Sequence, residues 1–295
     1  MRNILKLISL STLKQSLFFG LWGAIGGSLA SLLTELIFQK NTYSTFILSI
    51  LEVGLWFGLI SSSISASLLM GQSQHLKGYP QIKLSLMQGL VPGFIAGLIA
   101  GMVAQGIFSI HQTEFIRVIC WGIAGGLLGF GLSYRIPNLG RWRGLTGGGF
   151  GGIAGGGLFI LFSVLFGDLL GRFFGIAAIG FFIGLVIVLV EAIFRDAWLV
   201  VHWNASEKKS ISLGAEPILL GSSKEAHIYL RKDKGFPPIT AKIYIENKDI
   251  ILDFDQAMQQ MKGLKVLRHR LRNGERRKIG DVLLEIKTSE RNSPS

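Results

Sequence analysis

At 295 residues the chain has room for one or two ordinary domains. Charged residues make up 16% and hydrophobic ones 49%, with 39 glycines and a mean hydropathy of +0.47, a balance that excludes a simple soluble globule. The lone Cys120 excludes an internal disulfide and a thiolate metal cluster, and the net charge of +12 does not by itself indicate nucleic acid, because it divides evenly between two unlike parts, 1–202 and 203–295.

Residues 1–16 hold Arg2, Lys6 and Lys14 among Ile4, Leu5, Leu7, Ile8, Leu10 and Leu13. This pattern predicts a short interfacial helix leading into an uncleaved first span, since a signal peptide has a shorter apolar core than the run that follows. A helix needs about 20 largely apolar residues to cross bilayer hydrocarbon. Six stretches qualify, at 17–38, 45–69, 86–110, 115–133, 145–166 and 173–194, and they define a six-helix transmembrane domain over 17–198. No amphipathic helices remain to cover them as the core of a soluble domain. Arg2, Lys6, Lys14, Lys77, Lys83, Arg135, Arg141, Arg143 and Arg195 fall on one side of these spans, against Lys40, Arg117 and Arg172 on the other. The positive-inside rule then places both termini in the cytoplasm of a multi-pass protein of the cell (inner) membrane.

Glycine recurs at intervals of four, as in Gly93, Gly97 and Gly101 and again in Gly148, Gly152 and Gly156. Such rows leave a groove without side chains, in which helix backbones approach closely, so these six residues are expected to pack helices like a glycine zipper. The spans read as three two-helix hairpins with the glycine-rich odd helices clustered. Lining of a transport path is the competing reading of the same glycines. Asp168 and Arg172, four apart, are expected to form a helical ion pair, whereas Glu35 and Glu191 lie near span ends. The run 147–152 lacks a preceding strand and a following Gly-Lys-Ser/Thr, so nucleotide binding is not expected. His75 and His111 fall in loops on opposite sides and cannot share a metal. No cofactor or metal is expected.

After Trp198 short apolar runs alternate with turn residues, predicting a cytosolic β-sandwich over 199–290 and a short tail at 291–295. The runs are 199–203, 210–213, 218–220, 227–230, 241–245, 250–254, 264–271 and 282–286. Asn273-Gly274 signals a hairpin that returns Arg276, Arg277 and Lys278 beside Arg268, Arg270 and Arg272. Residues 255–262 could form one helical turn or two, but read first as a loop between strands. The three alternating arginines project from one strand face and suit an anionic partner, either an acidic protein or the headgroups of anionic lipid. Nucleic acid is not expected, because no aromatic residues are interleaved for base stacking.

Within the tail, Ile218-Leu219-Leu220-Gly221-Ser222-Ser223-Lys224 followed by His227-Ile228-Tyr229-Leu230, then Pro238-Ile239-Thr240-Ala241-Lys242-Ile243, then Leu271 to Asp281, resembles in order the landmarks of a forkhead-associated (FHA) domain. The resemblance covers about 85 residues of the tail and none of the apolar part. It implies an all-β sandwich that binds phosphothreonine peptides through its loops. This sequence departs from the family's pattern at the loops themselves. Ser222 stands where an arginine follows the first glycine, Pro237 and Pro238 stand for Ser-Arg, and Thr240 replaces a histidine. Phosphate recognition relies on charge-assisted arginine contacts, so the departures predict loss of phosphothreonine dependence. Ser222, Ser223, Lys224 and Thr240 remain as candidate partner-binding residues. No nucleophile–base pair, metal cluster or P-loop is visible, and no enzymatic activity is expected. The sequence therefore reads as a membrane-held FHA-like module that recruits a cytosolic signalling or regulatory partner. The alternative is a channel or transporter regulated by that module.

Overall fold

A computed structural model describes residues 10–37, 45–77, 81–203, 208–262 and 266–289. The chain forms two compact units, one of Met1–Gln74 with Pro80–Phe194 and the other of His75–Tyr79 with Arg195–Ser295.

The first unit is helical. Its elements are α1 (Leu10–Ile37), α2 (Phe46–Lys77), α3 (Ile82–Ile110), α4 (Glu114–Leu132) and α5 (Arg141–Phe194). All five are long and apolar enough to cross a membrane. The 54-residue α5 is folded back on itself at Gly167, whose φ of 74° and ψ of −169° lie outside any helix. A φ of this sign carries little penalty only for glycine. The fifth and sixth expected stretches are thus the two arms of one reversed helix, 141–166 and 168–194. No boundary falls at residue 16, because α1 continues unbroken from Leu10 into the first expected span. Residues 1–9 of the expected interfacial segment lie outside the described residues.

Neighbouring helices run antiparallel in chain order, and every neighbouring pair but α3–α4 touches at residues that have no Cβ. Along the α5 arms, Gly171 faces Ser163, Gly175 faces Phe159, Gly155 faces Ile179, Gly151 faces Ile183 and Gly147 faces Ile187. Every pair is symmetric about Gly167. A methyl on Gly151 would lie 2.6 Å from the Cα of Ile183, and one on Gly147 2.8 Å from that of Ile187. The first arm also meets α4: Gly148 abuts the carbonyl oxygen of Gly125, Gly144 that of Gly129 and Gly152 that of Trp121, while Gly156 lies under the Trp121 ring. The second arm closes on α1 through Gly180 and Gly23, with Gly27 against Ile176 and Gly184 against Phe19.

Helices α2 and α3 pair by the same means. Gly93 faces Ser61, Ser62 and Ser65, Gly97 faces Phe57 and Ser61, and Gly101 faces Val53, Gly54 and Phe57. The serines of α2 then cross-link the helices: Ser62 Oγ donates to the Leu90 carbonyl at 2.7 Å and Ser63 Oγ to that of Gly26 at 2.8 Å. Ser67 Oγ donates to the Trp22 carbonyl at 2.5 Å. Among the described residues no glycine contact joins two odd spans. The expected clustering of the odd helices is therefore corrected: the glycine rows face chain neighbours, and the second arm of α5 meets α1 to close the ring.

The second unit is a β-sandwich. Its strands are β1 (Ala197–His202), β2 (Lys208–Leu213), β3 (Ile218–Gly221), β4 (Ile228–Tyr229), β5 (Ala241–Glu246), β6 (Asp249–Phe254), β7 (Arg268–Leu271), β8 (Arg276–Ile279) and β9 (Val282–Thr288). One sheet has the order β2-β1-β9-β8 and the other β4-β3-β5-β6-β7, antiparallel except for the β3–β4 pair. Inward residues such as Leu199, Val201, Leu220, Ile243, Leu252, Leu284 and Ile286 form one core between them. Alternation explains the choice, since side chains two apart share a face. β1 starts two residues before the expected edge at 199.

Two expectations fail here. Residues 256–262 form a helix, α6 (Gln256–Lys262), in place of a loop. Asp255 starts it by accepting the Ala257 N–H on its carboxylate at 3.0 Å, as N-cap residues do. Asn273-Gly274 does not make a hairpin, because β7 and β8 belong to different sheets. The turn instead docks on the end of β9, where Gly274 N–H donates to the Ile286 carbonyl at 2.8 Å and Asn273 Oδ1 accepts the Thr288 N–H at 3.1 Å. The hairpin in this region is β8–β9, turned at Gly280 with φ 62°.

Replacing Gly97 or Gly152 with leucine is expected to lower the thermal midpoint of the protein in detergent, with overpacking costing about 1–3 kcal/mol or more. Gly157→Leu should leave it unchanged, because no atom lies within 4 Å of an added Cβ there. Equal midpoints for all three variants would show that the glycine rows do not hold the helices together.

Candidate functional site

Residues 218–240 build one loop cluster at the β4–β3 edge. β3 ends at Gly221, where any Cβ would strike the Pro238 carbonyl. That close approach lets two successive amides cross to the opposite loop. Ser222 N–H donates to the Pro237 carbonyl at 3.0 Å and Ser223 N–H to the Pro238 carbonyl at 3.1 Å. Ser222 Oγ donates to the Phe236 carbonyl at 2.9 Å, and Ser223 Oγ accepts the Glu225 N–H at 3.2 Å. Thr240 is fully buried, its N–H donates to the Leu220 carbonyl at 2.7 Å and its Oγ1 lies 3.4 Å from the Pro237 carbonyl. Lys224 is exposed at the tip.

Ser222, Ser223, Lys224 and Thr240 thus come together, but the Ser222 and Thr240 hydroxyls are taken by the Phe236 and Pro237 carbonyls, while Ser223 Oγ accepts within its own loop. An oxygen already donating to a backbone carbonyl has no second proton to offer a phosphate. The neighbouring loop is braced by ion pairs. Arg231 Nη2 meets Asp233 at 2.5 Å, and Lys234 pairs with Asp281. The hydrogen bond from Arg231 holds the Asp233 carboxyl below its ordinary range, and that from Lys234 does the same for Asp281.

Arg268, Arg270 and Arg272 lie elsewhere. β7 is the far edge of the same sheet, three strand spacings from β3, or roughly 14 Å at the usual strand separation. The basic residues alternate outward, with Leu271 facing the core. Most carry a carboxylate partner: Arg268 pairs with Glu246, Arg270 with Asp249 at 2.5 Å and Arg277 with Glu275 at 2.6 Å. Each such pair cancels charge that would otherwise attract an anionic surface, while adding little stability of its own. The seven candidate partner-binding residues therefore form two separate groups, one knitted into loops and one largely neutralised.

Sequence reasoning missed a second polar cluster. Glu285 on β9 is mostly buried, and its carboxylate accepts from His202 Nε2 at 2.9 Å, with Arg276 Nη2 at 3.5 Å and Lys287 Nζ at 3.9 Å. Partial burial raises its proton affinity, but the His202 hydrogen bond and the two cations outweigh this and hold the carboxyl below its ordinary value. The signal was present in the alternation of β1 and β9, yet only their pairing reveals it. In the helical unit, Arg172 does not pair with Asp168 as expected. It reaches across to Glu35 on α1, Nε to Oε1, at 2.8 Å.

No protein-family model and no curated protein matches this sequence. One solved structure, described as a structural and functional analysis of phosphothreonine-dependent FHA domain interactions, is similar to 32% of this chain over 98% of its own length, at 12% identity and a TM-score of 0.24.

A carboxyl depressed in the folded state contributes stability above its unfolded pKa and loses it as pH falls through the folded value. The β-sandwich should therefore weaken as pH drops below about 4.5, the ordinary value for Glu285. Glu285→Gln should weaken it at neutral pH and flatten that acid decline. Hydrogen exchange of the β9 amides between pH 3 and 7 reads both effects, and an unaltered pH profile would contradict them.

Proposed function

We propose that this chain is a non-catalytic multi-pass membrane protein that displays a cytosolic FHA-like module and recruits a signalling or regulatory protein with it. The reading rests on one observation: a two-sheet sandwich with FHA-like landmarks at its loops shares a chain with helices long enough to cross a bilayer. Both termini lie on the cytoplasmic side in this reading, and Arg135, Arg141 and Arg143 meet anionic headgroups there. Recognition does not depend on phosphothreonine in this reading, since Ser222 and Thr240 are bonded to the backbone and Ser222 occupies the place of the family's arginine after Gly221.

The protein purified in detergent should capture the same partner from extracts with and without phosphatase treatment. Capture abolished by phosphatase would overturn the phosphate-independent reading. Absence of any captured protein would overturn recruitment itself.

Membrane topology is tested separately. Cysteine at Arg141 should react only with reagents that enter the cytoplasm, and cysteine at Gln112 with impermeant reagents from outside. The reverse pattern would invert the orientation, and a chain recovered without membranes would refute the spans.

A further inference from the structure

At one end of the helical unit, Trp56 and Phe57 of α2, Phe108 of α3, Trp121 of α4 and Phe159 of the first arm of α5 surround a cavity of about 370 Å³. This is within the range of roughly 300–1,000 Å³ usual for small-molecule sites. The rings form a continuous wall: Phe57 stacks on Trp121 with centroids 4.6 Å apart, Trp56 meets Trp121 edge-on at 5.9 Å, and Phe159 lies 5.6 Å from Trp121.

Three charged residues also line the cavity, Arg117, Arg172 and Asp168. Taken alone they suggest an anion site. Their partners reverse this. Arg117 Nη1 lies 2.9 Å from Glu114 and sits over the Phe108 ring, and Arg172 Nε lies 2.8 Å from Glu35. Two guanidiniums thus face two carboxylates outside the cavity, and Asp168, exposed at its mouth and with no hydrogen bond or ion pair found among the described residues, leaves one negative charge without a cationic side-chain partner. Gly167 fixes its place, since Asp168 is the first residue beyond the reversal of α5. Aromatic faces carry negative electrostatic potential and favour a cation over a neutral or anionic guest.

We propose that this cavity binds an organic cation, a quaternary or protonated amine carrying an apolar body, with Asp168 as its counter-charge and the Trp56–Phe57–Trp121–Phe159 wall around its apolar part. Arg117 and Arg172, held by their own carboxylates, form the rim. This assignment is independent of what the β-sandwich recruits.

The test uses the full-length protein in detergent and benzyltrimethylammonium as the probe. Its uncharged isostere neopentylbenzene and the anion phenylacetate serve as comparisons, each corrected for partition into empty micelles. Quenching of tryptophan emission and titration calorimetry give the affinities. The ammonium ion should bind at least about tenfold more tightly than either comparison compound, the scale expected for a desolvated cation on aromatic faces. Asp168→Asn should cut that preference severalfold, leaving the part that the aromatic faces supply, and Asp168→Glu should retain most of it. Equal affinity for the isostere would reduce the site to an apolar void and overturn the proposal. A preference for phenylacetate would show that the arginines dominate, and would overturn it as well. The comparison within the wild-type protein decides the matter even if the Asp168 variants fold poorly.

Discussion

Direct contact between helix backbones is the constraint on which the helical unit depends. Where Gly125 meets Gly148, Gly129 meets Gly144 and Gly23 meets Gly180, main-chain carbonyls occupy the space that a Cβ would need. Helices that cross a bilayer, as these five are long and apolar enough to do, gain nothing from hiding apolar surface from each other and depend on dispersion contact and hydrogen bonds. The glycine rows supply the first and the α2 serines the second. Ser62, Ser63 and Ser67 reach the Leu90, Gly26 and Trp22 carbonyls only because the helices are already close. The two devices therefore reinforce each other, and a bulky residue in one row would also lengthen the hydrogen bonds beside it.

The β-sandwich is held by other means. Its core is ordinary aliphatic packing between two sheets, with Leu199, Ile218, Leu220 and Ile243 inaccessible to solvent. Polar chemistry is confined to edges and loops. β7 and β8 are edge strands, and their outward arginines make poor templates for pairing with another chain. The same arginines look like a binding surface in the linear sequence. Their carboxylate partners Glu246, Asp249 and Glu275 make them equally well a solubilising rim.

How much was legible in the sequence followed the range of the interaction. Apolar runs of about 20 residues mark the helices, and alternating runs of four to six mark all the strands but β8, because both signals are local. The reversal at Gly167 fell within the gap left between the fifth and sixth stretches. The short helix α6 ranked behind a loop as a reading because seven residues carry too little periodicity, although Asp255 ahead of Gln256 and Ala257 was a usable cap signal. Contacts between distant segments were not legible. Glu35 and Arg172 are 137 residues apart, and Asp168 was the nearer partner by spacing alone. Asn273-Gly274 has the composition of a hairpin, yet which sheet each flanking strand joins is decided by β6 and β9. The candidate binding residues were named from landmarks that lie close in sequence, and the sheet order sets the two groups apart.

The mirror relation of the two α5 arms about a single residue has a consequence for how this gene can change length. An α-helix turns by about 100° per residue, so one residue inserted or deleted in either arm swings everything beyond it off its facing partner. Gly171 would no longer meet Ser163, nor Gly147 meet Ile187, and because each arm also touches another helix the error would spread around the ring. The arms are in effect a ruled scale with its zero at Gly167. Length variation among relatives of this chain should accordingly avoid 141–194 and accumulate in the exposed connection 111–113.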